Sequence, residues 1–407
     1  MKWFALLALL ALAGCAAAPY RPAADMAPAH GAHAFVIFDR AGVLETGAQG
    51  LADRAAGRAL SVEDPVRIAS ISKLLVALGV MRMVEGGQLD LDRDVSDWLG
   101  WPLRNPAFPA QPITLRLLLS HRSSLRDEVD YALPLDAIVE RAVADPEAFD
   151  PEHPPGTFFR YSNLNFPVVA TVMEKASGER FDLLMQRLVL EPLGIDGCYN
   201  WASCSDGAIA RAVVLYTPDG EVLRDDLKGA RPACPVTPAY DGSCDWTAYR
   251  PGINGAVFSP QGGLRISAAD LAKVGQLLLR EGRLPDGTTF LSPGSLATMT
   301  KEHWRFDGAN GVTEEGFYCG YGLAVQRLAS CVPSDDPFGD GRIRFGHAGD
   351  AYRVRSGLWI DPRSGRGIAY FATGVDEDAP RGRSSYRAIE EWLAARLHGA
   401  ARRSGRR

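Results

Sequence analysis

The chain has 407 residues, long enough to bury one large core or two joined ones, and its composition is that of an ordinary globular protein, 46% hydrophobic and 23% charged. A formal net charge of -5 argues against a nucleic-acid partner, because phosphate binding needs a concentrated basic face. The nearest thing to one, Arg402-Arg403-Ser404-Gly405-Arg406-Arg407, reads as part of a solvated tail over residues 398–407.

Lys2 and the apolar stretch Trp3 to Leu12 make an export signal, too short to cross a bilayer as a helix. Leu12-Ala13-Gly14-Cys15 resembles the bacterial lipobox, which implies lipidation of Cys15, removal of residues 1–14 and a membrane anchor. The alternative is an ordinary cleaved signal with a chance cysteine, and Pro19 disfavours cleavage after Ala16-Ala17-Ala18. Ala16, where Asp would retain a lipoprotein in the inner membrane, is compatible with an outer-membrane, periplasm-facing location. Residues 16–32, rich in Ala and Pro, read as a tether ahead of a domain over 33–397.

Ala34 to Asp39 predicts a strand, Arg40-Ala41-Gly42 a turn and Val43 to Gln49 the return strand. From Ser70 to Glu85 apolar residues recur on more than one face, as in a buried helix, and Gly86-Gly87 stops it. Ile113 to His121 predicts a helix capped by Thr114; Phe166 to Ala176 and Phe181 to Val189 predict two more, split by Ser177-Gly178. Gly197 to Gly255, rich in Gly, Pro, Asp and Cys, reads as long loops beside the functional site. Ser267 caps a helix through Leu279. Strands follow at Tyr321 to Arg327, Arg342 to His347, Arg353 to Asp361 and Gly367 to Thr373, then a helix from about Ser384 to Leu397. Strands at both ends and helices between them predict an α/β (α+β) fold: one antiparallel sheet built from both chain ends and flanked by helices, with a mainly helical subdomain inserted over about 81–255.

Beyond Cys15 there are six cysteines, and an even count in an exported chain favours disulfides. The economical pairing joins neighbours: 198 with 204, 234 with 244, 319 with 331. Zinc competes, but no Cys-x-x-Cys pair is present.

Three short motifs carry the chemistry. Ser70 and Lys73, three residues apart at a helix start, meet on one face. The lysine can take the serine proton once desolvation lowers its pKa. Only six of the 44 basic residues are lysines, and Ser70/Lys73 is the one Ser-x-x-Lys match. Tyr161-Ser162-Asn163 adds a phenol to relay protons and an amide to orient the lysine and grip a substrate carbonyl. His347-Ala348-Gly349 ends a strand, where glycine permits close approach of a substrate backbone. The next amide, that of Asp350, is placed to pair with the Ser70 amide as an oxyanion hole.

The ordered set resembles the serine β-lactamase and penicillin-binding protein superfamily, specifically its class C β-lactamase-like branch. The resemblance extends to Arg67-Ile68-Ala69, Leu89-Asp90-Leu91-Asp92, Leu117-Leu118-Leu119-Ser120-His121 and Gly262-Gly263-Leu264. It implies that Ser70 is the acylated nucleophile, that Lys73 and Tyr161 form the base system, and that Asn163, His347, Gly349 and Asp350 bind substrate. Lys-Thr-Gly is usual in β-lactamases of the branch; here His347 and Ala348 weaken carboxylate recognition, leaving Arg344, Arg353 or Arg355 to restore a charge. Ser124 stands where glycine is usual, and Asp350 introduces an acid. The expected protein is a monomeric serine hydrolase, an esterase or peptidase-like enzyme cleaving a small-molecule or peptide ester or amide, without metal or cofactor. D-Ala-D-Ala carboxypeptidase or β-lactamase action is the alternative within the branch, and a catalytically silent lipoprotein binding module is the alternative of another class.

Overall fold

An eight-stranded antiparallel sheet draws its strands from both ends of the chain. The computed structural model describes residues 31–398; the export signal, Cys15, nearly all of the tether and nearly all of the tail lie outside them. The chain opens with β1 (His33–Asp39), β2 (Val43–Gln49), β3 (Leu51–Asp53), β4 (Arg58–Ala59) and β5 (Val66–Arg67). Helices follow: α1 (Ser72–Glu85), α2 (Ser96–Leu99), α3 (Leu115–Leu119), α4 (Val139–Ala142), α5 (Asn165–Ser177) and α6 (Phe181–Met185). Next come β6 (Cys198–Tyr199), α7 (Asp206–Ala210), β7 (Leu215–Tyr216), β8 (Val222–Arg224), β9 (Leu264–Ile266), α8 (Ala268–Leu279) and α9 (Pro293–Thr300). The last part supplies β10 (Trp304–Arg305), β11 (Gly320–Tyr321), β12 (Gln326–Arg327), β13 (Phe345–Ala351), β14 (Val354–Asp361), β15 (Arg366–Thr373) and α10 (Ala388–Ala394). The order across the sheet is β10-β11-β12-β13-β14-β15-β1-β2. The two ends of the chain meet where β1 pairs with β15, His33 opposite Ala372 and Asp39 opposite Arg366.

Side chains on a strand alternate between faces, and here both faces are apolar. Ala34, Val36 and Phe38 of β1 enter the larger core, which α8 closes against β1 and β15. Phe35 and Ile37 enter a second core with Ile389 and Leu393 of α10. α1 is buried along most of its length because it is apolar on nearly all sides. It therefore runs through the interior and holds its N-terminus, with Lys73, against the sheet.

The expected elements recur with changes that have local causes. Tyr321 to Arg327 is not one strand but a hairpin of β11 and β12, with Ala324 at φ 51°. The strand expected from Arg342 begins at Phe345, because Arg342 and Arg344 are drawn into ion pairs with Asp361 and Asp340. The His347 motif therefore lies in the middle of β13 rather than at its end. The second helix of the split pair leaves α-geometry after Met185 and continues as a wider turn, Gln186–Leu190. The final helix starts at Ala388 rather than Ser384, its first turn closed by the Arg387 N–H donating to Glu390 Oε2 at 3.0 Å. Between Gly197 and Gly255 the loops are interrupted by β6, α7, β7 and β8. All three neighbour disulfides are present: Cys198–Cys204, Cys234–Cys244 and Cys319–Cys331.

Candidate active site

Ser70 sits in a tight 3₁₀ turn, Ala69–Ile71, that leads directly into α1. Ala69 is held at φ 48°, a left-handed conformation costly for a residue with a Cβ. The surroundings enforce it. Ser72 Oγ donates to the Ala69 carbonyl at 2.6 Å and accepts from Leu264 N–H on β9 at 3.1 Å. Ser356 Oγ on β14 donates to the Ile68 carbonyl at 2.8 Å. A Cβ on Gly349 would stand 2.3 Å from the Ile68 oxygen, so this glycine makes room for the nucleophile turn itself rather than for a substrate backbone.

Lys73 is fully buried and its ammonium is held from three sides. Nζ donates to Ser70 Oγ at 3.0 Å, to Asn163 Oδ1 at 2.8 Å and to the Gln261 carbonyl at 2.8 Å. Burial pushes its pKa down to about 7, against a smaller upward pull from Asp127 and Glu314. The apolar neighbours Leu74, Leu75 and Val76, all buried, make the dry setting the sequence anticipates.

Tyr161 lies beside the pair, its ring centroid 4.9 Å from Lys73 Nζ. The ring is clamped between His121 (4.3 Å, stacked) and Tyr318 (4.7 Å, stacked). Burial raises its pKa well above the usual tyrosine value, partly offset by Ser70 and Tyr318. Tyr161 is therefore a neutral phenol, a proton donor and not a phenolate base.

His347 is brought near this group but not onto the cavity wall. It is fully buried, 6.2 Å ring to ring from Tyr161. Nδ1 donates to the Ala348 carbonyl at 2.6 Å, so Nε2 accepts from Tyr321 Oη at 2.7 Å. Desolvation lowers its pKa to about 3. The expected titratable charge is thus a neutral imidazole of fixed tautomer. The arginines are also redistributed: Arg344 is buried against Asp340 and Asp361, and Arg353 is paired with Asp376. Only Arg355 of the three lines the cavity, and it is paired with Asp350.

Ser70, Tyr161, Asn163, Gly349 and Asp350 all open on one cavity of about 830 Å³. Beyond Gly346, β13 has no strand on its second edge among the described residues, and the nucleophile turn packs there. On the same cavity, the Tyr352 ring lies between Arg67 and Arg224, each guanidinium 4.8 Å from the ring centroid. Sequence reasoning missed Asp127, which accepts from Ser162 Oγ (2.8 Å), Asn163 N (2.8 Å), Asn163 Nδ2 (2.9 Å) and Leu164 N (3.0 Å). It also missed His121, whose Nδ1 accepts from Ser162 N–H at 3.0 Å. The family segment Leu117-Leu118-Leu119-Ser120-His121 was the available signal.

Comparison with known proteins agrees with this geometry. The family profile described as Beta-lactamase matches residues 23–391. Esterase EstB of Burkholderia gladioli is 34% identical over 175 residues, 38% of this chain and 43% of that protein. Penicillin-binding protein 4 of Amycolatopsis lactamdurans is 28% identical over 258 residues, 63% of this chain and 61% of that one. The matches thus span less than two thirds of these relatives. The solved structure of the octameric penicillin-binding protein homologue from Pyrococcus abyssi superposes with a TM-score of 0.65 at 21% identity, covering 91% of this chain and 74% of that one. The fold, the ordered motifs and the profile agree: this chain belongs to the Beta-lactamase family, as the β-lactamase-related serine hydrolase resemblance predicts.

Proposed function

We propose that the protein hydrolyses an ester or amide through an acyl-Ser70 intermediate, in the manner of an esterase or peptidase-like enzyme. The observation that carries this is the 3.0 Å contact between Lys73 Nζ and Ser70 Oγ with the lysine pKa at about 7. The neutral amine takes the Ser70 proton as the oxygen attacks the carbonyl carbon. The carbonyl π electrons move to oxygen, where the Ser70 and Asp350 amides stabilise the negative charge. On collapse the bond to the leaving group breaks, and Tyr161, protonated and beside Lys73, passes a proton to that group and is reprotonated by the lysine. Water then attacks the acyl-enzyme, and the same groups move its proton in reverse.

Family relatives named as an esterase and as penicillin-binding proteins support this class of activity. Neutral His347 and the methyl of Ala348 offer no charge to a substrate carboxylate, which favours an esterase or non-carboxylate amide substrate over cell-wall carboxypeptidase action. Three disulfides suit an oxidising, extracytoplasmic compartment. Within that setting we read Cys15 as the lipid anchor, residues 16–32 as the tether and 33–397 as the hydrolase domain, with its helical insertion over about 81–255. Intact-mass analysis of the full chain with p-nitrophenyl butyrate and with a fluorescent penicillin tests the chemistry. Ester turnover lost in Ser70→Ala supports the proposal; unchanged turnover in that variant would sink it.

A further inference from the structure

We infer that the leaving-group side of this cavity is built for a cation, so that the preferred substrates are esters or amides whose leaving group carries an ammonium or similar positive charge. The inference rests on the acyl-Ser70 reading and specifies its substrate class.

The leaving group must lie where its proton comes from, on the Tyr161–Lys73 side of Ser70. The residues that face this side are acidic and incompletely neutralised. Glu314 lines the main cavity and an adjoining smaller pocket. Its carboxylate has no ion-pair or hydrogen-bond partner among the described residues, whereas its neighbours do. Asp350 is paired with Arg355 and Glu315 with Arg381. Glu390 accepts from the Arg387 N–H, and the Arg387 guanidinium is spent on the Ala379 and Glu377 carbonyls. Arg355 and Arg381 each hold a carboxylate, Arg387 contacts only carbonyls, and Glu314, like Glu390, has no cation of its own among the described residues. Partial desolvation, then Asp127 and Asp350, raise the Glu314 pKa above the usual carboxylate value, and Lys73 opposes them.

The turn that carries Glu314 is strained. Glu314 and Glu315 stand at φ 49° and 59° and Gly316 at 85°, a run of left-handed residues two of which carry side chains. A second polar group in the same cavity is unused. Gln261, only 8% exposed, lines the wall next to Gly262 and beside Ser70, and its buried Oε1 has no partner. With His347 neutral, the cations facing Glu314 are Lys73 and, across the smaller pocket, the partnered Arg355, Arg381 and Arg387. A carboxylate leaving group meets repulsion here; an ammonium meets an unpaired counter-charge at the cavity mouth.

The test compares kcat/KM of the full chain for butyrylthiocholine with that for its uncharged isostere, 3,3-dimethylbutyl thiobutyrate. The ratio of the two is the readout. The wild type is expected to favour the cationic thioester by about threefold, the order of one solvent-exposed charge pair. Glu314→Gln is expected to bring the ratio close to one, while Glu315→Gln, altering the neighbour already paired with Arg381, keeps the wild-type ratio. A wild-type ratio near one, or a ratio unchanged in Glu314→Gln, overturns the inference. Absence of turnover of both esters together with absence of acylation at Ser70 overturns the acyl-enzyme reading instead.

Discussion

Asp127 grips Asn163 twice, accepting from its backbone N–H at 2.8 Å and from its side-chain amide at 2.9 Å. With Nδ2 committed, Asn163 Oδ1 can only face Lys73, which donates to it at 2.8 Å. Asp127 is thus a positioning residue: it fixes the lysine through the asparagine without being an ion-pair partner itself. Its charge also favours the ammonium form of Lys73. Asp127→Asn should lower kcat by roughly 10²-fold through misplacement of Lys73. It should also move the acidic limb of kcat/KM to lower pH, because loss of the negative charge lowers the lysine pKa further. A purely structural role would reduce kcat and leave the limb where it was.

The wild-type pH profile follows from two groups. kcat/KM should rise as pH passes through about 7, where the Lys73 ammonium loses its proton and becomes a base. Tyr161, raised by burial, contributes no alkaline limb in the usable range. Lys73→Arg keeps a cation in place but cannot deprotonate. That variant should lose about 10³-fold or more in kcat/KM together with the limb near neutrality. A limb that survives in Lys73→Arg would assign the titration to another group.

His347 shows what the sequence could and could not say. Its place in the third motif was legible, because glycine two residues on marks a close approach. Its state was not, since a histidine at an exposed strand end and one sealed behind Tyr321 read alike. Likewise Ser70, Lys73 and Tyr161 were legible by residue type and order, and the neighbour disulfides by spacing. Asp127 was not: in Arg126-Asp127-Glu128 it looks like a solvated charge run, and only the fold brings the Tyr161 loop onto it. Glu314 and Gln261 are hidden for the same reason. The Gly349 contact was misassigned because a sequence shows that room is needed, not what fills it.

The buried state of His347 has a thermodynamic consequence. Its folded pKa lies at about 3, below the usual histidine value. Below an unfolded pKa of about 6.5 the unfolded chain takes up a proton that the folded chain refuses, so stability falls as pH drops from there towards 3. His121, also lowered by burial, acts in the same sense. His347→Gln should flatten part of this decline in a series of urea melts across that range. At neutral pH it should cost about 1–3 kcal/mol, because Tyr321 Oη loses a well-placed buried acceptor. A decline as steep as that of the wild type would show that His347 is charged in the folded protein.

Glu174 ties the loop beyond the Cys234–Cys244 bridge to α5. Its Oε2 accepts from Tyr249 Oη at 2.5 Å and from Gly252 N–H at 2.6 Å, and Oε1 accepts from Phe181 N–H at 2.8 Å. Burial raises its pKa to about 7. Glu174→Ala leaves two buried N–H groups unpartnered, with Tyr249 Oη keeping only the Asn254 carbonyl, at a cost of about 2–4 kcal/mol. Hydrogen exchange should then accelerate at Gly252 and Phe181 well before the β1–β15 amides. Uniform acceleration across the molecule would mean that this tie is not a local one.

Gly349 is where fold and chemistry meet most tightly. A Cβ there would lie 2.3 Å from the Ile68 carbonyl oxygen, 2.3 Å from Ser356 Oγ and 3.2 Å from Ala69 Cβ. Ser356 could rotate, but only by giving up its hydrogen bond to the same Ile68 carbonyl. The backbone oxygen cannot move without carrying the Ala69–Ile71 turn, and Ser70 with it, off β13. Gly349→Ala should therefore destabilise the protein by about 1–3 kcal/mol, the usual cost of overpacking. Because the displaced atoms include the nucleophile, kcat should fall by at least about 10²-fold. KM should change much less, since cavity residues on other elements, such as Asn163 and Arg224, are untouched. A variant with normal kcat would mean that the strand, and not the nucleophile turn, gives way.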